Sequence, residues 1–377
     1  MSNPVYLDYN ATTPVAAEVV EAMLPYLVEH FGNPSSSHPY GGKAAQAVRE
    51  ARESVALLLG AAADEIVFTG SATEANNLAL LGVARALAGK KRHLVVSAVE
   101  HPAVIAPALH LQSEGWDLSV IPVDAYGWVD PSDIAAALRP NTALVSIMHA
   151  NNEVGTIQPV AEIAAITRAR GILLHTDAAQ SAGKIPLNVD ALGVDLLTLA
   201  GHKFYAPKGV GALYVRTGTP IAPIQFGADQ EHGLRPGTEN VPQMVGLGAA
   251  ARLARERLPA ATEKLRLLRD PLHQRLMAGV PGLILNGHPT ERLPNTLHVS
   301  FPGIVGRELL SRVAERVAAS VGSACHSEAD AVSGVLAAMG CDAYRAAGAV
   351  RLSVGWMTTL EEIEAAAAAL AEGAAGA

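Results

Sequence analysis

The sequence has little of several features that mark particular classes of protein. Its two cysteines are too few for a disulfide framework or a structural zinc site, so we expect no metal and a reducing compartment. No apolar run reaches membrane-spanning length, and the first residues lack the pattern of a signal peptide. Positive charge is also scarce: the formal net charge of −8 argues against nucleic acid or an anionic membrane as the main partner. We therefore expect a cytoplasmic protein that acts on small molecules or proteins.

The chain is nevertheless long and apolar enough to bury a large core, with 377 residues of which 50% are hydrophobic. Short runs rich in Val, Ile and Leu alternate with stretches of helical period. This alternation predicts an α/β fold with a mostly parallel sheet covered by helices. The predicted strands span residues 65–69, 93–97, 143–148, 172–176 and 195–199.

The pattern changes after about residue 245. Long helical segments follow, together with two further predicted strands at 296–300 and 350–353 and a helix from 361 to the end. We interpret residues 15–250 as a large domain, and residues 1–14 with 251–377 as a small α/β domain.

Each of the five predicted strands is followed at once by small or polar residues. These are Gly70–Thr73, Glu100 with His101, Asn151–Glu153, Asp177 with Gln180, and His202 with Lys203. In open α/β sheets the ligand site lies outside the carboxyl ends of the strands. The five clusters are therefore predicted to line one pocket.

Lys203 and Asp177 together suit pyridoxal phosphate. A lysine at a strand end can hold the aldehyde carbon of this cofactor, and an aspartate nearby can keep its pyridine nitrogen protonated, so that the ring acts as an electron sink. The turn Gly70–Thr73 opens a helix and offers backbone N–H groups to a phosphate. Thr73 and His202 add side-chain donors.

Taken singly, these residues have structural explanations as well. Ser71 and Glu74 match a helix-capping box. Asp177 could cap the next helix, Asn152 could hold a turn, and His101 could be a structural histidine. Five such coincidences at five successive strand ends favour the ligand site.

Cys325 lies in a small and polar segment, residues 319–333, which we interpret as a mobile surface loop. A thiol flanked by Gly and Ser can move in to attack a substrate, and His326 can favour its thiolate form. An incidental surface cysteine is the alternative. Cys341 follows a predicted helix and is interpreted as structural.

A series of motifs runs in order along nearly the whole chain. They are YLDYNATTP (6–14), GNPSS (32–36), EH (100–101), NNEVG (151–155), TDAAQ (176–180), GHK (201–203), RPGTEN (235–240), GSAC (322–325) and VRLS (350–353). The series resembles that of the cysteine desulfurase and selenocysteine lyase family, within the class V aminotransferases. The resemblance implies a fold-type-I pyridoxal-phosphate homodimer, with a mostly parallel seven-stranded sheet in a large domain and a small α/β domain that carries Cys325.

The resemblance also implies a role for each matching residue. At the cofactor ring, Lys203 attaches the cofactor, His101 stacks on the ring and helps to move protons, Asp177 pairs with the ring nitrogen, Gln180 contacts the ring hydroxyl, and Asn152 also belongs to the cofactor site. At the phosphate, the binding residues are Ala72, Thr73 and His202, and Thr238 reaches the phosphate of the neighbouring subunit. The substrate is bound by Asn10, Asn152 and Arg351.

The implied reaction converts L-cysteine to L-alanine, with the sulfur passed to Cys325 as a persulfide and then to a protein acceptor. Residues 320–327 and 351–355 look closer to selenocysteine lyases, whereas Pro102 stands where animal lyases carry an acidic residue. We favour a cysteine desulfurase that also accepts L-selenocysteine. A selenocysteine lyase, another class V pyridoxal-phosphate enzyme and a non-catalytic sulfur-relay protein are the alternatives.

Overall fold

The structure, a computed structural model, describes residues 3–322 and 333–375. Within them the strands are β1 (Val5–Tyr6), β2 (Ile66–Thr69), β3 (His93–Ser97), β4 (Asp117–Ile121), β5 (Thr142–Ser146), β6 (Leu173–Asp177), β7 (Leu196–Ala200), β8 (Gly211–Val215), β9 (Ile284–Asn286), β10 (Thr296–Ser300), β11 (Val317–Ala318) and β12 (Ala349–Ser353).

The helices of the same residues are α1 (Ala17–Val28), α2 (Pro39–Leu59), α3 (Ala72–Leu87), α4 (Pro102–Ser113), α5 (Pro131–Ala137), α6 (Val160–Arg168), α7 (Val189–Leu192), α8 (Val241–Gly279), α9 (Gly306–Arg312), α10 (Gly334–Ala338), α11 (Ala343–Ala347) and α12 (Leu360–Ala375). None of the helices in this described part of the chain is both long enough and apolar enough to cross a membrane.

The central sheet has seven strands in the order β2-β8-β7-β6-β5-β3-β4. Neighbouring strands from β7 to β4 pair in parallel, whereas β8 is antiparallel to both β2 and β7. The prediction of a mostly parallel seven-stranded sheet is therefore confirmed. The five strands predicted from the apolar runs correspond to β2, β3, β5, β6 and β7.

Helices cover both faces of this sheet, so its inner strands have no face turned to solvent. All five residues of β3, β5 and β7 are buried. In β3, Val95 packs into the apolar cluster on one face, and Leu94 and Val96 pack into the cluster on the other. The two buried layers hold the carboxyl ends of the parallel strands at fixed positions.

A second apolar cluster is built around smaller sheets, one with the antiparallel order β12-β10-β9 and one formed by β1 and β11. Helix α8 runs for 39 residues between the two regions. Its Leu247 lies in the cluster of the central sheet, and its Leu272 lies in the second cluster. The predicted domain division after residue 250 falls inside α8 and stays a prediction.

Gly211, the first residue of β8, allows a close approach that shapes the site. A Cβ atom at this position would lie 2.7 Å from the carbonyl oxygen of Leu199 and 2.8 Å from the carbonyl carbon of Ser71. Both are backbone atoms, so they cannot move aside as a flexible side chain could. The absence of a side chain therefore lets β8 lie directly beneath the turn that opens α3.

Candidate active site

A cavity of about 300 Å³ opens where the parallel strands end. Its lining includes Ser71, Ala72 and Thr73 after β2, His101 after β3, Asn152 after β5, Asp177 and Gln180 at the end of β6, and His202 and Lys203 after β7. Asn10 and Arg351 complete the wall from the N-terminal segment and from β12. Each of the five predicted clusters thus contributes at least one residue to this cavity, whereas Glu100, Asn151 and Glu153 are not among its lining residues.

Lys203 lies in a short helical turn directly after β7. Its Nζ donates to the main-chain carbonyl oxygens of Asn10, at 2.6 Å, and Ala11, at 2.8 Å. Two residues later Tyr205 has a φ of 71°, a strained value for a bulky residue. Its ring is stacked on Trp356 at 3.6 Å. The stacked ring holds the sharp turn that presents Lys203 to the cavity.

Asp177 ends β6 as a buried carboxylate, 6% exposed. It accepts hydrogen bonds from Asn76 Nδ2 at 2.7 Å and from the Ala179 backbone N–H at 2.9 Å. Within residues 3–322 and 333–375 no Lys, Arg or His side chain forms a salt bridge with it. A buried carboxylate of this kind suits a cationic ligand group. The protonated pyridine nitrogen of pyridoxal phosphate is such a group, so the site fits this cofactor.

His101 caps the N-terminus of α4. Its Nδ1 accepts the Ala103 N–H at 3.1 Å, so a neutral ring carries its proton on Nε2. Burial lowers the pKa of His101, and the charge of Lys203 lowers it further against the opposing effect of Asp177. The ring is therefore a neutral donor at the cavity wall.

The start of α3 combines a helix cap with backbone N–H groups that can bind an anion, which we call the anion cradle. Ser71 Oγ accepts the Glu74 N–H at 3.1 Å, and Glu74 Oε2 accepts the Gly70 N–H at 2.6 Å. The capping alternative is thus present, but it leaves the first N–H groups of the helix, at Ala72 and Thr73, without intrahelical partners. Both residues line the cavity. The geometry therefore supports helix capping and phosphate binding together.

His202 lies beside this cradle with its Nδ1 3.2 Å from Thr12 Oγ1. Burial lowers the pKa of His202 to about 4, and the charges of Lys203, Lys208 and Lys184 act in the same direction. A neutral imidazole can donate one hydrogen bond to a phosphate without adding a second buried cation.

Asn10 is buried, and protein groups satisfy its side-chain amide. Its Nδ2 donates to Thr296 Oγ1 at 2.9 Å and to the Asn152 carbonyl at 3.2 Å, and its Oδ1 accepts from Asn295 Nδ2 at 2.9 Å. Its carbonyl oxygen accepts from Gln180 Nε2 at 3.0 Å. The role of Asn10 as a substrate ligand stays a prediction. Through these hydrogen bonds Asn10 connects the N-terminal segment to the wall of the cavity.

Arg351 projects from β12 and is 2% exposed. Its Nη2 lies 2.8 Å from Asp8 Oδ1, and its Nη1 donates to the Asn152 carbonyl at 3.1 Å. Its Nε is buried and has no hydrogen-bond partner among the described residues. Its main chain exchanges two hydrogen bonds with Ser320. A guanidinium held in this way offers planar, charge-assisted donors to a carboxylate.

Three further predictions concern Thr238, Cys325 and Cys341. Thr238 lines a separate surface groove with Phe226, and its role towards a neighbouring subunit stays a prediction. Cys325 lies outside the described residues. Cys341 is half-buried beside an apolar cluster near α10, and burial raises its pKa, in agreement with a structural thiol.

Asn76 is a site residue that was not predicted. It lies one turn after Thr73 on α3, lines the cavity and holds Asp177. The helical period places positions 73 and 76 on the same face, so the signal was present in the sequence. Only the fold, however, shows that this face meets the end of β6.

The fold and the cavity define an α/β enzyme whose ligand site lies at the strand ends. Residues 5–366 match the family model of aminotransferase class V, and the chain belongs to that family. Cysteine desulfurase IscS of Dictyoglomus turgidum (strain DSM 6724 / Z-1310) is 47% identical over 364 residues, which cover 96% of this chain and 92% of that protein.

Two solved structures are also similar. A NifS-like protein has a TM-score of 0.92 and 39% identity, with 98% of this chain and 99% of that chain covered. SspA in complex with cysteine has a TM-score of 0.84 and 37% identity, with 94% and 99% covered. The resemblance to cysteine desulfurases that the motifs indicate is therefore confirmed.

Proposed function

We propose that this chain is a pyridoxal-phosphate-dependent cysteine desulfurase that converts L-cysteine to L-alanine and passes the sulfur on. The observation that carries the proposal is one cavity lined by Lys203, Asp177 and Arg351. The first two suit the cofactor, and the third suits the carboxylate of an amino acid. The activity named for the relative with 47% identity supports the same reaction.

The cofactor is held by groups at four strand ends. Lys203 attaches it, Asp177 pairs with the ring nitrogen, and the α3 N–H groups with His202 receive the phosphate. When bound, pyridoxal phosphate supplies an electron sink for the bonds at the substrate α-carbon. His101 would lie against the ring, and Gln180 would donate to its oxygen substituent.

Arg351 and Asn152 bind the substrate carboxylate. Asp8 and the Asn152 carbonyl hold the guanidinium of Arg351 in place, so its remaining N–H groups are already oriented before substrate arrives. This arrangement fixes the α-carbon of the amino acid beside Lys203.

Lys203 moves the proton of the α-carbon through its Nζ atom. His101 is less suited to this step, because its Nδ1 already accepts the Ala103 N–H and its Nε2 carries the proton. His101 instead donates from Nε2. Lys203 thus accepts the proton, and His101 donates a hydrogen bond.

Cys325 takes the sulfur. Its thiolate forms a bond to the substrate sulfur, the Cβ–S bond breaks, and the bonding pair remains with the carbon skeleton, which takes up a proton and leaves as L-alanine. Cys325 keeps the sulfur as a persulfide until a protein acceptor removes it. Such a thiol must stay reduced between turnovers, which supports a cytoplasmic location.

A homodimer is the proposed assembly. Helix α1 and the residues after it expose a row of large apolar side chains, which are Val20, Leu24, Leu27, Val28 and Phe31, each between 49% and 74% exposed. A contiguous apolar surface of this kind favours contact with another protein surface. In the dimer Thr238 would reach the phosphate of the neighbouring subunit.

The test is alanine release from L-cysteine and from L-selenocysteine by the cofactor-loaded protein with a thiol reductant. Cys325→Ser should abolish alanine release from L-cysteine but keep the change in visible absorbance that L-cysteine causes on binding. Cys341→Ser, the matched control, should leave turnover unchanged. Normal alanine release by Cys325→Ser would refute the persulfide step, and turnover of L-selenocysteine alone would make the protein a lyase.

A further inference from the structure

Lys184 is a buried lysine beside the cavity that the proposed mechanism does not use. It is 6% exposed and lies four residues after Gln180. Its Nζ donates to Gln180 Oε1 at 2.9 Å and lies 3.5 Å from Asn10 Oδ1. Both partners are amide oxygens rather than carboxylates.

The surroundings of Lys184 make its burial unfavourable for the stability of the fold. Burial lowers its pKa well below the ordinary value, and the charges of Lys203 and Arg351 lower it further. A desolvated ammonium with only neutral partners does not stabilise a fold. Its position next to two residues of the cavity wall indicates a role in the site.

We propose that Lys184 is a positioning residue that fixes the Gln180 amide so that it presents an N–H donor to the cofactor. The inference rests on the proposed function, because it needs the cofactor in this cavity. Lys184 Nζ donates to the Gln180 side chain, and the Asn10 carbonyl can only accept a hydrogen bond from it. The amide oxygen of Gln180 must therefore face Lys184, and its NH₂ group must face Asn10.

This orientation decides what Gln180 offers to a ligand. One N–H of its NH₂ group is used by the Asn10 carbonyl at 3.0 Å, and Gln180 also lines the cavity. The second N–H is left for an acceptor such as the oxygen substituent of the cofactor ring. Without Lys184 the Gln180 oxygen would be a buried acceptor with no donor, which is unfavourable. The Gln180 side chain would then be more stable in another orientation, in which its N–H no longer faces the cofactor.

The same ammonium group also supports the lysine that attaches the cofactor. Lys184 approaches the side chain of Asn10, and the carbonyl oxygen of Asn10 accepts from both Gln180 and Lys203. A change at Lys184 is therefore transmitted to the cavity mainly through Gln180, to which its hydrogen bond is the shorter one.

Lys184→Met tests the proposal because it keeps the length of the side chain and removes its donors. We expect the dissociation constant of pyridoxal phosphate to rise roughly tenfold, which corresponds to about 1.4 kcal/mol. The visible absorption band of the loaded protein should also shift. Lys90→Met removes an exposed lysine with the same change in charge and should alter neither quantity.

A double-mutant cycle with Gln180→Leu separates positioning from general destabilisation. In the Gln180→Leu background, Lys184→Met should cause little further loss of cofactor affinity and no further shift of the band. Additive losses would overturn the proposal, as would unchanged affinity and an unchanged band in the single variant.

Gln180→Glu provides a second variant in case Lys184→Met does not fold. It keeps an acceptor for Lys184 and removes the N–H donor, so the band should shift in a protein that folds normally. An unchanged band would overturn the proposal. These measurements need no L-cysteine, so a failed turnover assay does not affect them, whereas no cofactor binding by the unaltered protein would refute the proposed function itself.

Discussion

Breaking the ion pair between Arg52 and Glu231 should destabilise the fold, because the Glu231 side chain is buried. Arg52 Nη1 and Nη2 each lie 2.6 Å from a carboxylate oxygen of Glu231, whose side chain is 2% exposed. Glu231 Oε2 also accepts the Phe68 N–H of β2 at 2.7 Å. Glu231 and His232 both have left-handed φ angles, of 49° and 59°, which store strain. The pair thus connects a strained turn to β2, the strand that leads to the cavity-lining residues Ser71–Thr73.

Arg52→Met should lower the free energy of unfolding by about 3–5 kcal/mol, because it leaves a buried carboxylate without its cation. Loss of the hydrogen bond from Arg52 to the Ile66 carbonyl adds to this cost. The measurement is urea unfolding followed by circular dichroism, with pyridoxal phosphate at a fixed concentration so that ligand binding contributes equally.

The paired variant Arg52→Met with Glu231→Gln decides the cause. The glutamine carries no charge and can still accept the Phe68 N–H, so most of the lost stability should return. A single variant that loses less than about 1 kcal/mol would show that the carboxylate finds another partner or water. A double variant no more stable than the single one would show that packing, not the unpaired charge, is responsible.

Two further predictions concern the residues around the cavity. Burial raises the pKa of Glu100 from 4.5 to about 8, so the folded protein holds a proton that the unfolded chain releases, and stability falls as pH rises between these values. Glu100→Gln should gain a few kcal/mol relative to the unaltered protein across this range in urea unfolding at pH 5, 7 and 9; a constant difference would contradict the assignment. Gly211→Ala should weaken pyridoxal phosphate binding roughly tenfold in equilibrium dialysis by displacing Ser71, whereas Gly42→Ala, where an added Cβ meets nothing within 4 Å, should not.

The sequence is sufficient to predict the part of the site that follows the parallel strands. Each apolar run identifies a strand, and the residue that ends the run identifies a side chain at the same edge of the sheet. His101, Asp177 and Lys203 could be assigned to one pocket for this reason. The motif series then connects Arg351, which is distant in sequence, with the same pocket.

The rest of the site depends on contacts that periodicity does not encode. Gly211 looks like an ordinary strand residue until β8 is found antiparallel beneath the start of α3. Lys184 and Glu231 look like solvated charges, and only the fold shows that both are buried. Strand β4 was not predicted. It lies at the sheet edge and includes exposed positions, so its sequence is not a continuous apolar run.

The N-terminal segment meets β12 at the cavity, and this has a consequence for synthesis on the ribosome. Asp8 and Arg351 are 343 residues apart in sequence, and the Asn10 N–H donates to Ser353 Oγ at 2.9 Å. The segment that contacts Lys203 is therefore synthesised long before its partners in β12. A nascent chain can therefore form much of the central sheet before β12, which carries Arg351, has been made. The wall of the cavity is therefore complete only after β12 has been synthesised and has paired with the N-terminal segment.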